Sequence, residues 1–184
     1  TPASIDERLH LPDLNEYIPT DFSLRCDDAK YLDDDDDDEI GEEVPRVLVD
    51  RPDLRVWHKM DRKWRVPKTV FHLSLLSPNV YRSPRTMTLN RLYERVLNDD
   101  LNSFVYDASL AGLNYKVSCA PSGFRISVRG YSEKISFLVD TLTSRMLSLI
   151  EELKEGPSAH PGLALNFRNA MEGLLRETKN YRLD

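Results

Sequence analysis

Six consecutive aspartates, Asp33 to Asp38, stand near the start of the chain, and no regular element accommodates such a run. Neighbouring carboxylates repel one another, and Asp has poor propensity for helix and strand alike. Residues 27–43 carry eleven Asp or Glu against one Lys. That segment is expected to be solvated and disordered, dividing the chain into a short leading piece and a long trailing one. The rest of the chain carries 24 Lys or Arg against 20 Asp or Glu, so the acidic excess is confined to this stretch. The mildly basic remainder has no cationic stripe interleaved with aromatics, which argues against a nucleic-acid partner.

With 184 residues, 40% of them apolar, the chain has material for one domain, or one domain and a linker. No apolar stretch approaches the length of a membrane span. Cys26 and Cys119 are too few for a disulfide framework or a four-thiolate metal site, and they fit a reducing compartment; a cytoplasmic location is the expectation. The opening Thr1-Pro2 and a last helical pattern that runs uncapped to Asp184 point to an excerpt of a longer polypeptide.

Residues 1–26 set Pro2, Pro12 and Pro19 among short apolar pieces (Leu9, Leu11, Leu14, Tyr17, Ile18, Phe22), the pattern of an extended segment laid over another surface. Pro45 and Pro52 close the irregular linker, residues 27–53, and folded structure is expected from Leu54. Leu54–Lys59 and Trp64–Ser77 read as two strands joined by the polar turn Asp61-Arg62-Lys63. In the second, Val66, Lys68, Val70, His72 and Ser74 share one face, opposite Thr69, Phe71, Leu73 and Leu75. Pro67 argues for an edge strand or a bulge.

Ser83-Pro84 opens a helical pattern that runs through Leu92, Val96, Leu97, Leu101, Phe104, Val105 and Ala108 to a stop at Gly112, with Asn98-Asp99-Asp100 loosening its middle. Tyr115–Cys119 and Phe124–Arg129 form a hairpin around Pro121-Ser122-Gly123. A second amphipathic helix starts at Ser132 and stops at Gly156-Pro157; a third covers about Leu163 to Tyr181. The predicted order is ββ-α-ββ-α-α, an α+β fold with helices on one face of an antiparallel sheet.

The chemistry-bearing residues form no catalytic constellation. His10, His58, His72 and His160 begin no H-x-x-E-H or H-E-x-x-H pair. His58 and His72 fall on neighbouring predicted strands, but without an acidic or thiol ligand at metal spacing they read as sheet-face residues. Nothing around Cys119 lowers its pKa, and there is no G-x-S-x-G or phosphate-cradling glycine loop. No catalytic, cofactor-binding or metal residue is assigned.

Particular stretches are more telling. LHLPDLNEYIPTDF (Leu9–Phe22) resembles the L-H-L-P-x-x-N-x-[FY]-I-P-T-x-F element of the insulysin and nardilysin group of zinc metallopeptidases, the pitrilysin family. VPKTVFHLSLLSP (Val66–Pro78), LNDDLNSFVYDASLAGLNYKV (Leu97–Val117), GFRISVRGYSEKI (Gly123–Ile135) and NFRNAMEGLLRETKNY (Asn166–Tyr181) resemble, in order, that group's next elements. The Asp run departs from the group's pattern and does not settle the subfamily.

The resemblance implies a piece of a much longer enzyme, whose four related α+β domains form two halves around a peptide-holding chamber. It places residues 1–26 at the end of the second domain, 27–53 on the linker between halves and 54–184 in the first part of the non-catalytic third domain. The group's zinc ligands and water-activating Glu lie in the first domain, so the resemblance implies no cofactor in this segment and zinc in the parent. The implied partners are the remaining domains of the same polypeptide and the parent's peptide substrates. The implied function is a chamber-wall and hinge segment of a zinc metalloendopeptidase, inactive alone; a stand-alone non-catalytic homologue acting as an interaction module is the alternative. Two physical expectations follow: poor stability in isolation, and an acidic linker that shortens as salt screens its charges.

Overall fold

Val47, Val49, Leu54, Val56 and Trp57 flank a Pro52-Asp53 step, and in the computed structural model they form a β-hairpin. The structure describes residues 14–27, 44–156 and 158–180; the Asp run and His10 lie outside them. Strand β1 (Arg46–Arg51) pairs antiparallel with β2 (Leu54–His58), with a bulge between Val47 and Val49. Strand structure thus begins at Arg46, ahead of the expected Leu54 and within the stretch read as linker. The physical reason is the turn: Pro pre-sets the backbone dihedral of a tight reversal, and apolar alternation before it supplies a strand.

The expected pairing of Leu54–Lys59 with Trp64–Ser77 is not made. The polar turn does form, with the backbone N–H groups of Lys63 and Trp64 donating to Asp61 Oδ1 at 3.0 and 3.1 Å. Beyond it Arg65 takes a positive φ of 49°, and Lys68 N–H bonds the Val66 carbonyl at 2.8 Å. The chain therefore reverses again, and β3 (Lys68–Leu76) enters a second sheet. Pro67 sits just outside this edge strand, and its carbonyl accepts from Ser132 N–H at 3.0 Å.

The second sheet has three strands in the order β3-β5-β4, all antiparallel, where β4 is Asn114–Ala120 and β5 is Gly123–Tyr131. The β4–β5 hairpin turns at Pro121-Ser122, as its sequence predicts. Register aligns Phe71, Leu73, Ile126, Val128, Tyr115 and Val117 on one face. Helices α1 (Pro84–Phe104) and α3 (Ser132–Glu155) cover that face; α4 (Pro161–Asn180) packs on α1. Val96, Leu97, Leu101, Ile126, Val128, Leu138, Leu142 and Leu149 are all buried between these layers. The α+β class with helices on one face holds, in the order ββ-β-αα-ββ-α-α.

Helix α1 starts with a full capping box: Thr86 N–H donates to Ser83 Oγ at 3.2 Å, and Ser83 N–H to Thr86 Oγ1 at 3.0 Å, with Pro84 following the cap. The helix is not loosened at Asn98-Asp99-Asp100. Asn98 Nδ2 donates to the Glu94 and Val117 carbonyls, and Asp100 receives a forked pair from Arg145 of α3, so both polar side chains have partners that favour the helix. The interruption comes at Val105 instead, after which a short α2 (Tyr106–Leu110) leads to Gly112 at φ 79°. Leu113 N–H reaches back to the Ala108 carbonyl at 2.9 Å, the six-to-one bond that a left-handed glycine permits.

Candidate functional site

Residues 14–27 form a strap along α3. Asn15 caps its own turn, its Oδ1 accepting from Tyr17 N–H at 2.9 Å, while Asn15 Nδ2 donates to the Asp107 carbonyl at 2.8 Å. Tyr17 is buried with its ring 5.0 Å from that of Phe137, and its hydroxyl meets Thr141 Oγ1 at 3.3 Å. Glu133, in the first turn of α3, accepts from the backbone N–H of Thr20 at 2.7 Å and of Asp21 at 2.8 Å. These two backbone bonds, aided by Lys134, bring the Glu133 carboxyl down to about 2. Phe22 stands edge-on to Tyr131, and Asp27 pairs with Arg65 at 2.8 Å. The surface on which the extended segment was expected to lie is thus α3 of the same unit.

The histidines are not brought together. His58 ends β2 in the first sheet, opposite Arg46; His72 lies in β3 of the second, opposite Ser127. His160 meets Glu155 at 2.8 Å beside the start of α4. Among the described residues no three His, Cys, Asp or Glu side chains converge as a metal site would require, so these residues do not fit zinc. Both thiols are free, and burial pushes the Cys119 thiol up, away from nucleophilic character.

Two exposed surfaces border the helical layer and its sheet. The first is the helix-free face of the three-stranded sheet. Register places Lys68, Val70, His72, Ser74 and Leu76 of β3 on it, with Arg125, Ser127 and Arg129 of β5 and Asn114, Lys116 and Ser118 of β4. No Asp or Glu occurs among the strand positions of this face. Sequence reading found the β3 alternation but not the cationic face, which exists only once three strands are in register. The second is a largely apolar groove of about 380 Å³ between the end of α3 and α4, lined by Leu153, Leu163, Phe167 and Met171 together with Glu152, His160 and Arg168.

Comparison with known proteins identifies the family to which these residues belong. Residues 1–184 match a family model described as the middle or third domain of peptidase_M16. "Nardilysin-like" of Arabidopsis thaliana is 29% identical over 182 residues, 99% of this chain and 17% of that protein. "Insulin-degrading enzyme-like 1, peroxisomal" of the same plant is 36% identical over 177 residues, 96% of this chain and 16% of its own length. The crystal structure of pitrilysin superposes with a TM-score of 0.62 at 27% identity, covering 75% of this chain and 14% of that one. The chain therefore spans about one-sixth of the curated relatives it matches. A match that runs from first residue to last, with the predicted antiparallel α+β layer beneath it, makes this chain a member of the peptidase M16 family, corresponding to its middle or third domain.

Proposed function

We propose that the chain is a non-catalytic wall and joint of a zinc metalloendopeptidase that degrades peptides. The observation that carries this reading is the family match over residues 1–184 to a middle or third domain. The described residues offer no ligand set of their own, so zinc and the activated water would belong to other domains of the parent. The strap supports the joint: through Tyr17, Glu133 and the Asp27–Arg65 pair it fixes where the chain leaves this unit toward the acidic segment. The helix-free sheet face supports the wall, and the remaining domains of the same polypeptide are the partners.

The test is made on the full-length parent. An H-x-x-E-H motif upstream of residue 1, stoichiometric zinc after dialysis against a weak chelator and cleavage of a fluorogenic peptide are the expected results. A parent without that motif, or zinc and cleavage that stay with the 184-residue chain through repurification, would overturn the reading.

A further inference from the structure

From the helix-free sheet face we infer an acidic-peptide docking surface: Lys116, Arg125, Arg129 and His72 receive the carboxylates of a substrate segment bound in extended form. This rests on the chain being a wall segment and names the chemistry that the wall selects.

The face is built around Ser127, the central residue of the central strand. His72 flanks it on β3 and Lys116 on β4; Arg125 and Arg129 stand two residues before and after it on the same side of β5. Strand geometry puts the two arginines about 13 Å apart and the flanking pair about 10 Å apart. All four side chains are exposed, and no ion pair joins Lys116, Arg125 or Arg129 to an acid among the described residues. Desolvated cations with no intramolecular partner would be costly, but exposed ones form an electrostatic field that only an incoming anion neutralises.

Spacing decides which anion. A single phosphate group needs donors that converge within a few ångströms, and these diverge across the sheet. An extended peptide presents same-side residues about 6.6–7 Å apart, so carboxylates at positions i and i+4 match the two arginines. Single-stranded nucleic acid also carries spaced anions, but it needs aromatic platforms for its bases. The interior of this face offers no Phe, Tyr or Trp for them, only the His72 imidazole; Tyr131 lies at the strand end against Phe22, with Lys68 over the ring. Val70, 61% exposed, and Leu76, 77% exposed, add apolar contacts along β3 that suit peptide side chains.

The experiment uses the full-length parent with its metal chelated, so that a bound peptide survives. Anisotropy is read for a labelled peptide of alternating Glu and Thr and for its Gln-Thr counterpart. The parent is expected to bind the Glu-Thr probe more tightly at low salt, with the preference fading as salt rises. Lys116→Gln, Arg125→Gln and Arg129→Gln combined should weaken Glu-Thr binding about tenfold, from three exposed charge contacts, and leave Gln-Thr binding unchanged. Lys179→Gln, on α4, should alter neither. Should the triple variant not fold, Arg125→Gln alone is expected to cost about two- to threefold, with Arg125→Lys restoring it.

Equal affinity of wild type for both probes, or undiminished Glu-Thr binding by the folded variants, would overturn the inference. So would displacement of the probe by oligothymidylate at lower concentration than by unlabelled Glu-Thr peptide, which would make nucleic acid the occupant. Cleavage of an uncharged peptide by the metal-loaded wild type reads the wall-segment function separately. A parent that cleaves without charge preference loses only this inference; one that binds Glu-Thr but never cleaves loses the peptidase reading.

Discussion

Glu133 is the residue on which the strap depends most directly, because one carboxylate holds two backbone amides. Its folded value, about 2, lies below its ordinary 4.5, so the ionised form is the one that strap docking favours. The stabilisation is therefore fully present above pH 4.5 and is lost as pH falls from there through about 2. Hydrogen exchange at the Thr20 and Asp21 amides, corrected for intrinsic rates, should show constant protection from neutrality down to about pH 5 and a decline below it. Glu133→Gln should abolish that decline, and Glu133→Ala should release both amides at every pH while β5 stays protected; unchanged protection in the Ala variant would refute the strap's dependence on this carboxylate. Gly123 carries a different constraint. At φ 145° it faces β3, and a Cβ there would lie 1.8 Å from the Leu75 carbonyl oxygen. Gly123→Ala must therefore part the β3–β5 ladder at its Leu76 end, and a loss of at least ~1–3 kcal/mol by urea unfolding is expected.

Elements differ in how far local sequence determines them. Along α3, Leu138, Leu142 and Leu149 face the sheet and are fully buried, whereas Leu147 is exposed on the opposite side. Leu142→Ala should cost about 2–5 kcal/mol through lost burial and a residual cavity, and Leu147→Ala should stay within about 0.5 kcal/mol; equal costs would contradict the packing. That stripe is legible in the spacing alone, as are the Ser83 cap and the hairpin at Pro121-Ser122. The hairpin at Pro52-Asp53 was not: Pro45 and Pro52 read as the close of an irregular stretch, and proline alone does not separate a turn from a loop. The partner of β3 was not legible. Register with β5 brings Phe71 to Val128 across more than fifty residues, a pairing set by shared burial under α1 and α3. For the same reason the cationic face was invisible in any one strand: Arg125 and Arg129 alternate visibly, but Lys116 and His72 join them only in three dimensions. The strap's destination was hidden likewise, since Tyr17 and Thr141 meet across 124 positions.

On the scale of the whole molecule, the β1–β2 hairpin stands apart from the sheet that carries the core. A two-stranded ribbon is marginal in water unless a further layer covers one side. Here Val47, Leu48 and Trp57 are exposed, as are Trp64 and Val66 in the segment that follows. Val47 and Trp57 stand opposite each other in the ribbon, and exposed apolar side chains gathered in one part of a chain mark an interaction site. The chain spans about one-sixth of its curated relatives, so the remaining domains of the parent are the proposed cover. The two tryptophans of the chain, Trp57 at 57% and Trp64 at 73% exposure, lie in this region and report on it directly. With 5-fluorotryptophan incorporated and resonances assigned through Trp57→Phe and Trp64→Phe, each signal should show a large H2O-to-D2O solvent shift in the 184-residue chain. In the parent the Trp57 shift should collapse, because a covering domain removes water from the ring. Leu48→Thr should then lower the parent's melting temperature and improve the solubility of the isolated chain, since the same leucine is buried in one and bare in the other. A Trp57 ring equally wet in both would mean that the hairpin faces solvent in the assembled protein, and the cover would have to be sought at the groove between α3 and α4 instead.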